Sequence, residues 1–233
     1  WVWCYYYIFH SRPYPCKDHY KKMRKVFIHP ISVRIWHWIN AGLIFFLIIT
    51  GVQLRFSWLT LFQYHHAVFT HKIAGFILAG SFLYWLAYYL ITGNFKQHYI
   101  FHRKDAKGMV RQAIYYTFTM FKHQESPFTP SSQERFNPLQ KIAYLSVMLI
   151  FTPVILVTGI LFSDIVCFLG IINYIGGLRI LDAIHVATGY VFFLYLIVHL
   201  YMSTLGHRVV SHVIAMITGY VEEGDETKQE QVE

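Results

Sequence analysis

Residues 182–202 read "DAIHVATGYVFFLYLIVHLYM". The stretch is apolar and long enough to cross a bilayer as a helix, which takes about 20 predominantly apolar residues. It nevertheless carries two histidines, His185 and His199, fourteen positions apart. An imidazole facing lipid is unfavourable, so both rings are expected to face the protein interior. At about 100° and 1.5 Å per residue they fall about 40° apart around the helix and about 21 Å apart along it. One helix thus presents a polar ring near each membrane surface.

The rest of the chain is of the same kind. Of 233 residues, 55% are hydrophobic and 14% charged, against about 25% charged in an average soluble domain. Four stretches reach spanning length, near 35–56, 67–91, 139–162 and 181–205. "AGLIFFLIITGV" (41–52) and "LSVMLIFTPVILVTGILF" (145–162) are apolar all round, where a soluble helix keeps a polar stripe. The expected fold is an all-α integral membrane protein, a four-helix transmembrane bundle with a cytoplasmic amphipathic segment. "IVCFLGIINYIGG" (165–177) is too short and glycine-rich for a fifth span and is expected to be interfacial or re-entrant.

The chain divides into an N-terminal extension over 1–30, the bundle over 31–206 and a polar cytoplasmic tail over 207–233. Met23 opens "MRKVFIHP" as a plausible natural start, which leaves 1–22 without a readable role, and no cleavable signal pattern precedes it. The formal charge of +8 follows topology rather than pointing to nucleic acid. Lys and Arg collect before the first span, in the connection 93–138 and after the fourth span, whereas Arg55, Lys72 and Arg179 fall on the other side. The positive-inside rule therefore predicts a multi-pass membrane protein with both termini and the middle connection cytoplasmic.

The connection 93–138 is too long for an ordinary loop. Within it "MVRQAIYYTFTMF" (109–121) sets Met109, Ala113, Thr117 and Phe121, with Val110, Ile114 and Phe118, on one helical face, as in a helix lying in the interface. "SPFTPSSQERFNP" (126–138) resets the chain before the third span. The end of the chain, "EEGDETKQEQVE", has the composition of a disordered tail. Cys4, Cys16 and Cys167 form no CxxC pair and no C-x-x-C-H occurs, so neither covalent haem nor cysteine-held zinc is indicated.

Most of the fourteen histidines lie in polar stretches. Those in or at the rims of spans are His37, His65, His66, His71, His185 and His199. A first span running outward puts His37 at the level of His199, and a second span running inward puts His71 at the level of His185, with His66 the main competitor to His71. Facing imidazoles in a bundle suit a haem iron ligated from both sides. "HKIAG" (71–75) and "HVATG" (185–189) each place a glycine, Gly75 and Gly189, one turn after the histidine on the same face. A flat macrocycle can lie against the backbone there, so two stacked haems are expected. Zinc would want a compact set of four ligands. No Ser/His/Asp pattern, P-loop or G-x-G-x-x-G is present, and no catalytic residue is assigned.

At these residues the chain resembles the di-haem cytochrome b subunits of bacterial formate dehydrogenases, nickel-iron hydrogenases and thiosulfate reductases. The matching pieces are "RIWHW" (34–38), "THKIAG" (70–75), "FNPLQK" (136–141), "LVTG" (156–159), "IHVATG" (184–189) and "VHLYM" (198–202), in family order across about residues 24–206. The resemblance implies that His71 and His185 ligate an outer haem b and His37 and His199 an inner one. It also implies a quinone site beside the inner haem, at Asn137, Gln140 and His199. Pro138 and Leu139 stand where the formate dehydrogenase relatives have Ala-Gly, and Asn137 also suits a helix N-cap.

The function these readings imply is electron transfer between an extracytoplasmic catalytic, iron–sulfur or cytochrome subunit and membrane menaquinone or ubiquinone. Arg34, Arg55 or Arg179 would pair with haem propionates, membrane lipid is the surrounding solvent, and the resemblance implies a bacterial or archaeal cytoplasmic membrane. Whether the chain itself counts as an enzyme, and in which direction electrons run, stays open. The alternatives are a haem-free anchor or transporter with proton- or metal-binding histidines, and a stand-alone quinol oxidase.

Overall fold

The computed structural model describes residues 23–56, 58–92, 103–119, 127, 138–204 and 210–224. The extension 1–22, Asn137, most of 120–137 and the tail beyond Gly224 lie outside the described residues. Four helices are long and apolar enough to span: α1 (Ile31–Arg55), α2 (Tyr64–Thr92), α4 (Pro138–Ser163) and α6 (Leu178–Ser203). The fold is an all-α membrane bundle. Between α2 and α4 lies α3 (Arg103–Ile114), which runs on as a π turn over Tyr115–Thr119. A short helix α5 (Leu169–Tyr174) and a C-terminal helix α7 (Ser211–Thr218) complete the set.

Each boundary has a local cause. Pro30 precedes α1 and Pro138 opens α4, where a missing N–H costs nothing because the first turn has no acceptor for it. Inside α4, Pro153 cannot donate to the carbonyl four residues back and crowds it. The helix widens just before it into a π turn at Val147–Phe151, and Thr152 closes the turn with its N–H and, at 2.8 Å, its hydroxyl on the Val147 carbonyl. α6 starts after Gly176 and Gly177, both at positive φ, where an L side chain would be strained.

The helices pack in a closed ring, α1 on α2, α2 on α4, α4 on α6 and α6 on α1. Its chemistry is the reverse of a soluble bundle. Buried positions of the spans include Asn40, Thr50, Gln53, Thr152, Thr158 and Thr188, while Phe45, Leu83, Val157 and Leu194 are exposed. A bilayer removes any penalty on apolar surface but leaves no water for polar groups, so those turn inward and find partners. Asn40 donates to the Trp36 carbonyl and the Ser81 hydroxyl, both at 2.7 Å. Gln53 receives the Phe62 N–H at 3.1 Å and donates to its carbonyl, tying the loop between α1 and α2. Such interhelical bonds average about 0.6 kcal/mol in membranes, so they fix register more than they hold the bundle together. At that loop end a small apolar core of Leu161, Ile172 and Leu181 seats α5.

At the opposite, terminal end the flanks pair with each other. β1 (Met23–Phe27) and β2 (Tyr220–Gly224) form an antiparallel ladder with Val26 opposite Val221. The segment beyond the fourth span is therefore not a polar tail throughout: α7 and β2 give it structure up to Gly224. Gly219 ends α7 in the left-handed region, φ +90°, and its carbonyl accepts the N–H groups of Ile28 (2.9 Å) and His29 (3.2 Å). α1 caps the last carbonyls of α7, Arg34 donating to Ile217 and the Trp38 indole to Met216. A methyl group at 219 would stand 2.9 Å from the His29 carbonyl oxygen. Gly219→Ala should therefore cost about 1–2 kcal/mol from backbone conformation alone, more with the clash. It will lower the thermal midpoint in detergent; an unchanged midpoint would mean that the terminal pair does not contribute to stability.

Candidate functional site

Two pairs of imidazoles meet inside the bundle. His71 of α2 and His185 of α6 face each other with ring centroids 6.4 Å apart near the loop end. His37 of α1 and His199 of α6 do so at 6.2 Å near the terminal end. α2 and α6 stand diagonally in the ring, so the first pair reaches across the interior. His66 is exposed and lies beside His65, ring centroids 5.9 Å apart; the ring of α2 that faces His185 is His71.

The loop-end rings are held in one tautomer. The Thr50 hydroxyl donates to the Phe46 carbonyl at 2.9 Å and lies 2.8 Å from His71 Nδ1. With its own proton committed, the oxygen can only accept, so Nδ1 carries the hydrogen and Nε2 keeps its lone pair. Thr158 repeats this in the second hairpin, donating to the Val154 carbonyl at 2.8 Å and standing 2.8 Å from His185 Nδ1. In both hairpins a glycine follows the threonine and the ring packs on it. A Cβ at Gly51 would meet His71 Cε1 at 3.4 Å, and one at Gly159 would meet His185 Cε1 at 3.5 Å. Anything larger than Ala there would displace the ring. Phe162 closes on His185 edge to face at 5.5 Å.

The terminal-end pair is built differently. His199 stacks on Tyr195 at 5.7 Å, Tyr195 lies 6.5 Å from Tyr144 of α4, and Trp38 packs edge-on against His37 at 5.2 Å. His37 Nδ1 is buried with no hydrogen-bond partner, and so is Nε of Arg34, three residues earlier on the same face. Of the other rim arginines, Arg55 is 3.6 Å from Asp182 with both side chains about half exposed. Gln140 is partly buried at the start of α4, and Asn137 lies outside the described residues.

These residues fit a metal in a flat macrocycle. Two opposed imidazole nitrogens about 2 Å from one ion, the usual metal–histidine length, set ring centres about 6 Å apart. At the loop end, Nε2 lone pairs left free by rings braced through Nδ1 are what ligation asks of histidine. A Cβ added at Gly75 or Gly189 would meet nothing within 4 Å, so neither glycine serves close helix packing. Gly42 and Gly80 are equally open; Gly75 and Gly189 differ in standing one turn from a facing imidazole. Among the described residues no group of three or more His, Cys, Asp or Glu gathers as a metal cluster; the histidines meet in twos.

A four-span bundle with paired imidazoles inside has the architecture of a membrane cytochrome b. The chain belongs to the prokaryotic cytochrome b561 family, whose model matches residues 28–219. It is 30% identical over 202 residues to the Escherichia coli (strain K12) protein named "Putative cytochrome YdhU", covering 84% of this chain and 74% of that one. Membership makes the chain a membrane electron-transfer cytochrome with haem b as its cofactor. Sequence reading did not single out Thr50, Gly51, Thr158 and Gly159 as supports. Their trace is the Thr-Gly dipeptide recurring in the span that precedes each His-x-x-x-Gly span. Thr158→Val, which keeps the shape and removes the acceptor behind His185, should weaken haem retention by roughly ten- to a hundredfold. Transfer of haem to apomyoglobin measures this, and an unchanged loss rate would show that the hydroxyl does not support the ligand.

Proposed function

We propose that the chain is a di-haem cytochrome b subunit that carries electrons across the membrane between a redox partner on the loop side and quinone at the terminal side. The observation that carries this reading is the pair of facing imidazole couples, 6.4 and 6.2 Å between ring centres, at opposite ends of one bundle. His71 and His185 are the assigned ligands of one haem b and His37 and His199 of the other, with Gly75 and Gly189 leaving room for the ring faces. Each iron supplies a one-electron ferric–ferrous couple when bound. The chain's own part is to orient the imidazoles through Thr50 and Thr158, exclude water with an apolar bundle, and offer a cation to the propionates. Arg34 suits that last role, since its buried Nε–H has no partner and a propionate oxygen would supply the missing acceptor.

The terminal side is assigned to the cytoplasm because the basic residues cluster there. At the loop end the cations Lys72 and Arg55 are engaged within the protein, Lys72 on the Ser163 carbonyl at 2.7 Å and Arg55 on Asp182. Quinone, menaquinone or ubiquinone, is assigned to the surface beside His199, where Gln140 opens the third span and Asn137 immediately precedes it. The loop-side partner is a catalytic, iron–sulfur or cytochrome subunit.

Replacing His71 with Ala should remove the loop-end haem and spare the other, halving the haem content and leaving a low-spin b spectrum on dithionite reduction. Quinol should still reduce the haem that remains. A His71 variant with full haem content, alongside loss in a His66 variant, would show that the ligand assignment is wrong.

A further inference from the structure

Gln112 on α3 is a buried polar group that takes no part in either histidine pair. Its side chain is 1% exposed and its Nε2 has no hydrogen-bond partner. An amide N–H₂ buried without an acceptor is costly, so this one asks for a ligand. Its surroundings follow from register. Gly108 packs so closely on Pro138 that an added Cβ would meet Cγ at 2.8 Å, and Gln112, one turn further, lies on the same face. After one more turn Tyr116 comes within electrostatic reach of Tyr144. The face Gly108, Gln112, Tyr116 thus runs beside the first turns of α4, in the same direction, and sets Gln112 against the stretch that contains Gln140.

The opposite face of α3 is apolar and open, with Val110, Ile114 and Phe118 exposed. The helix therefore rests between lipid and the base of the third span, where a hydrophobic molecule entering from the bilayer would meet it. From Tyr116 a line of aromatic side chains leads inward through Tyr144 and Tyr195 to His199, with ring centres 6.5 and 5.7 Å apart over the last two steps.

We infer that α3 forms a wall of the quinone site and that Gln112 Nε2 donates a hydrogen bond to a carbonyl oxygen of the quinone ring. This rests on the placement of quinone at the terminal end proposed above. Gln112 is a binding and positioning residue, and Tyr144 and Tyr195 line the way from the base of α4 to His199. A ligand acceptor would satisfy the orphaned amide, which helix packing alone leaves unpaired.

The test uses the purified full chain in detergent with a soluble naphthoquinol as reductant. Gln112→Met, of similar length but without a donor, and Gln112→Leu should each raise the KM for haem reduction about tenfold, the order of a lost ligand hydrogen bond, with haem spectrum and content unchanged. An unchanged KM in both would overturn the assignment. Should the variants fail to retain haem, labelling of the wild type with an azido-naphthoquinone decides. Competable attachment within residues 108–116 supports the inference, and attachment only elsewhere overturns it. A wild type that quinol does not reduce, and that takes no competable label, would instead overturn the quinone reading itself.

Discussion

An imidazole in the middle of an apolar bundle is costly until its ring nitrogens find partners, and the two ends of this bundle meet that constraint in different ways. At the loop end the threonine hydroxyls supply half of the answer. By donating their own protons to the helix turn below, Thr50 and Thr158 become obligate acceptors for Nδ1–H, and each Nε2 is left pointing its lone pair away from its supporting helix. A helix whose threonine bonds back to its own carbonyl and then holds a neighbour's ring does two jobs with one oxygen. Glycine at the next position lets the ring come down onto the backbone.

The bundle is in this sense two copies of one device. In each hairpin the first helix offers Thr-Gly and the second offers His-x-x-x-Gly, and the two histidines meet across the ring of helices. The terminal end breaks the repeat. His37 has no threonine behind it, His199 leans on Tyr195, and the chain's two flanks fold over this end through β1, β2 and α7, fixed by Arg34 and Trp38. The end with the freer imidazole and the row of tyrosines is also the end packed against the amphipathic helix. A site that exchanges a mobile substrate with the lipid is better served by such an end than by one sealed by a tight loop.

Much of the architecture was legible in the sequence because a bilayer imposes strong length and polarity rules. Spans expected near 35–56 and 139–162 are helices over Ile31–Arg55 and Pro138–Ser163, since twenty apolar residues in a row have few other options. Which rings lie opposite one another followed from span direction and level. The threonines were not legible, because a hydroxyl that bonds back to its own helix looks the same in sequence as one that holds a ligand. The terminal sheet was missed because short strands such as Met23–Phe27 and Tyr220–Gly224 are stabilised by a partner about two hundred residues away, and "VEEG" on its own reads as polar tail. Gln112 sat in an amphipathic pattern as one more polar position, and only its burial against the third span sets it apart.

Counting haem against polypeptide in the purified protein, and reading its spin state, decides whether one four-span chain holds two irons each between two imidazoles, as proposed. Pyridine haemochrome assay with quantitative amino-acid analysis, together with low-temperature electron paramagnetic resonance of the oxidised protein, gives both. Two haem b per chain are expected, both low-spin with bis-imidazole signatures. A single haem per chain, or a high-spin iron with an open coordination position, would contradict it.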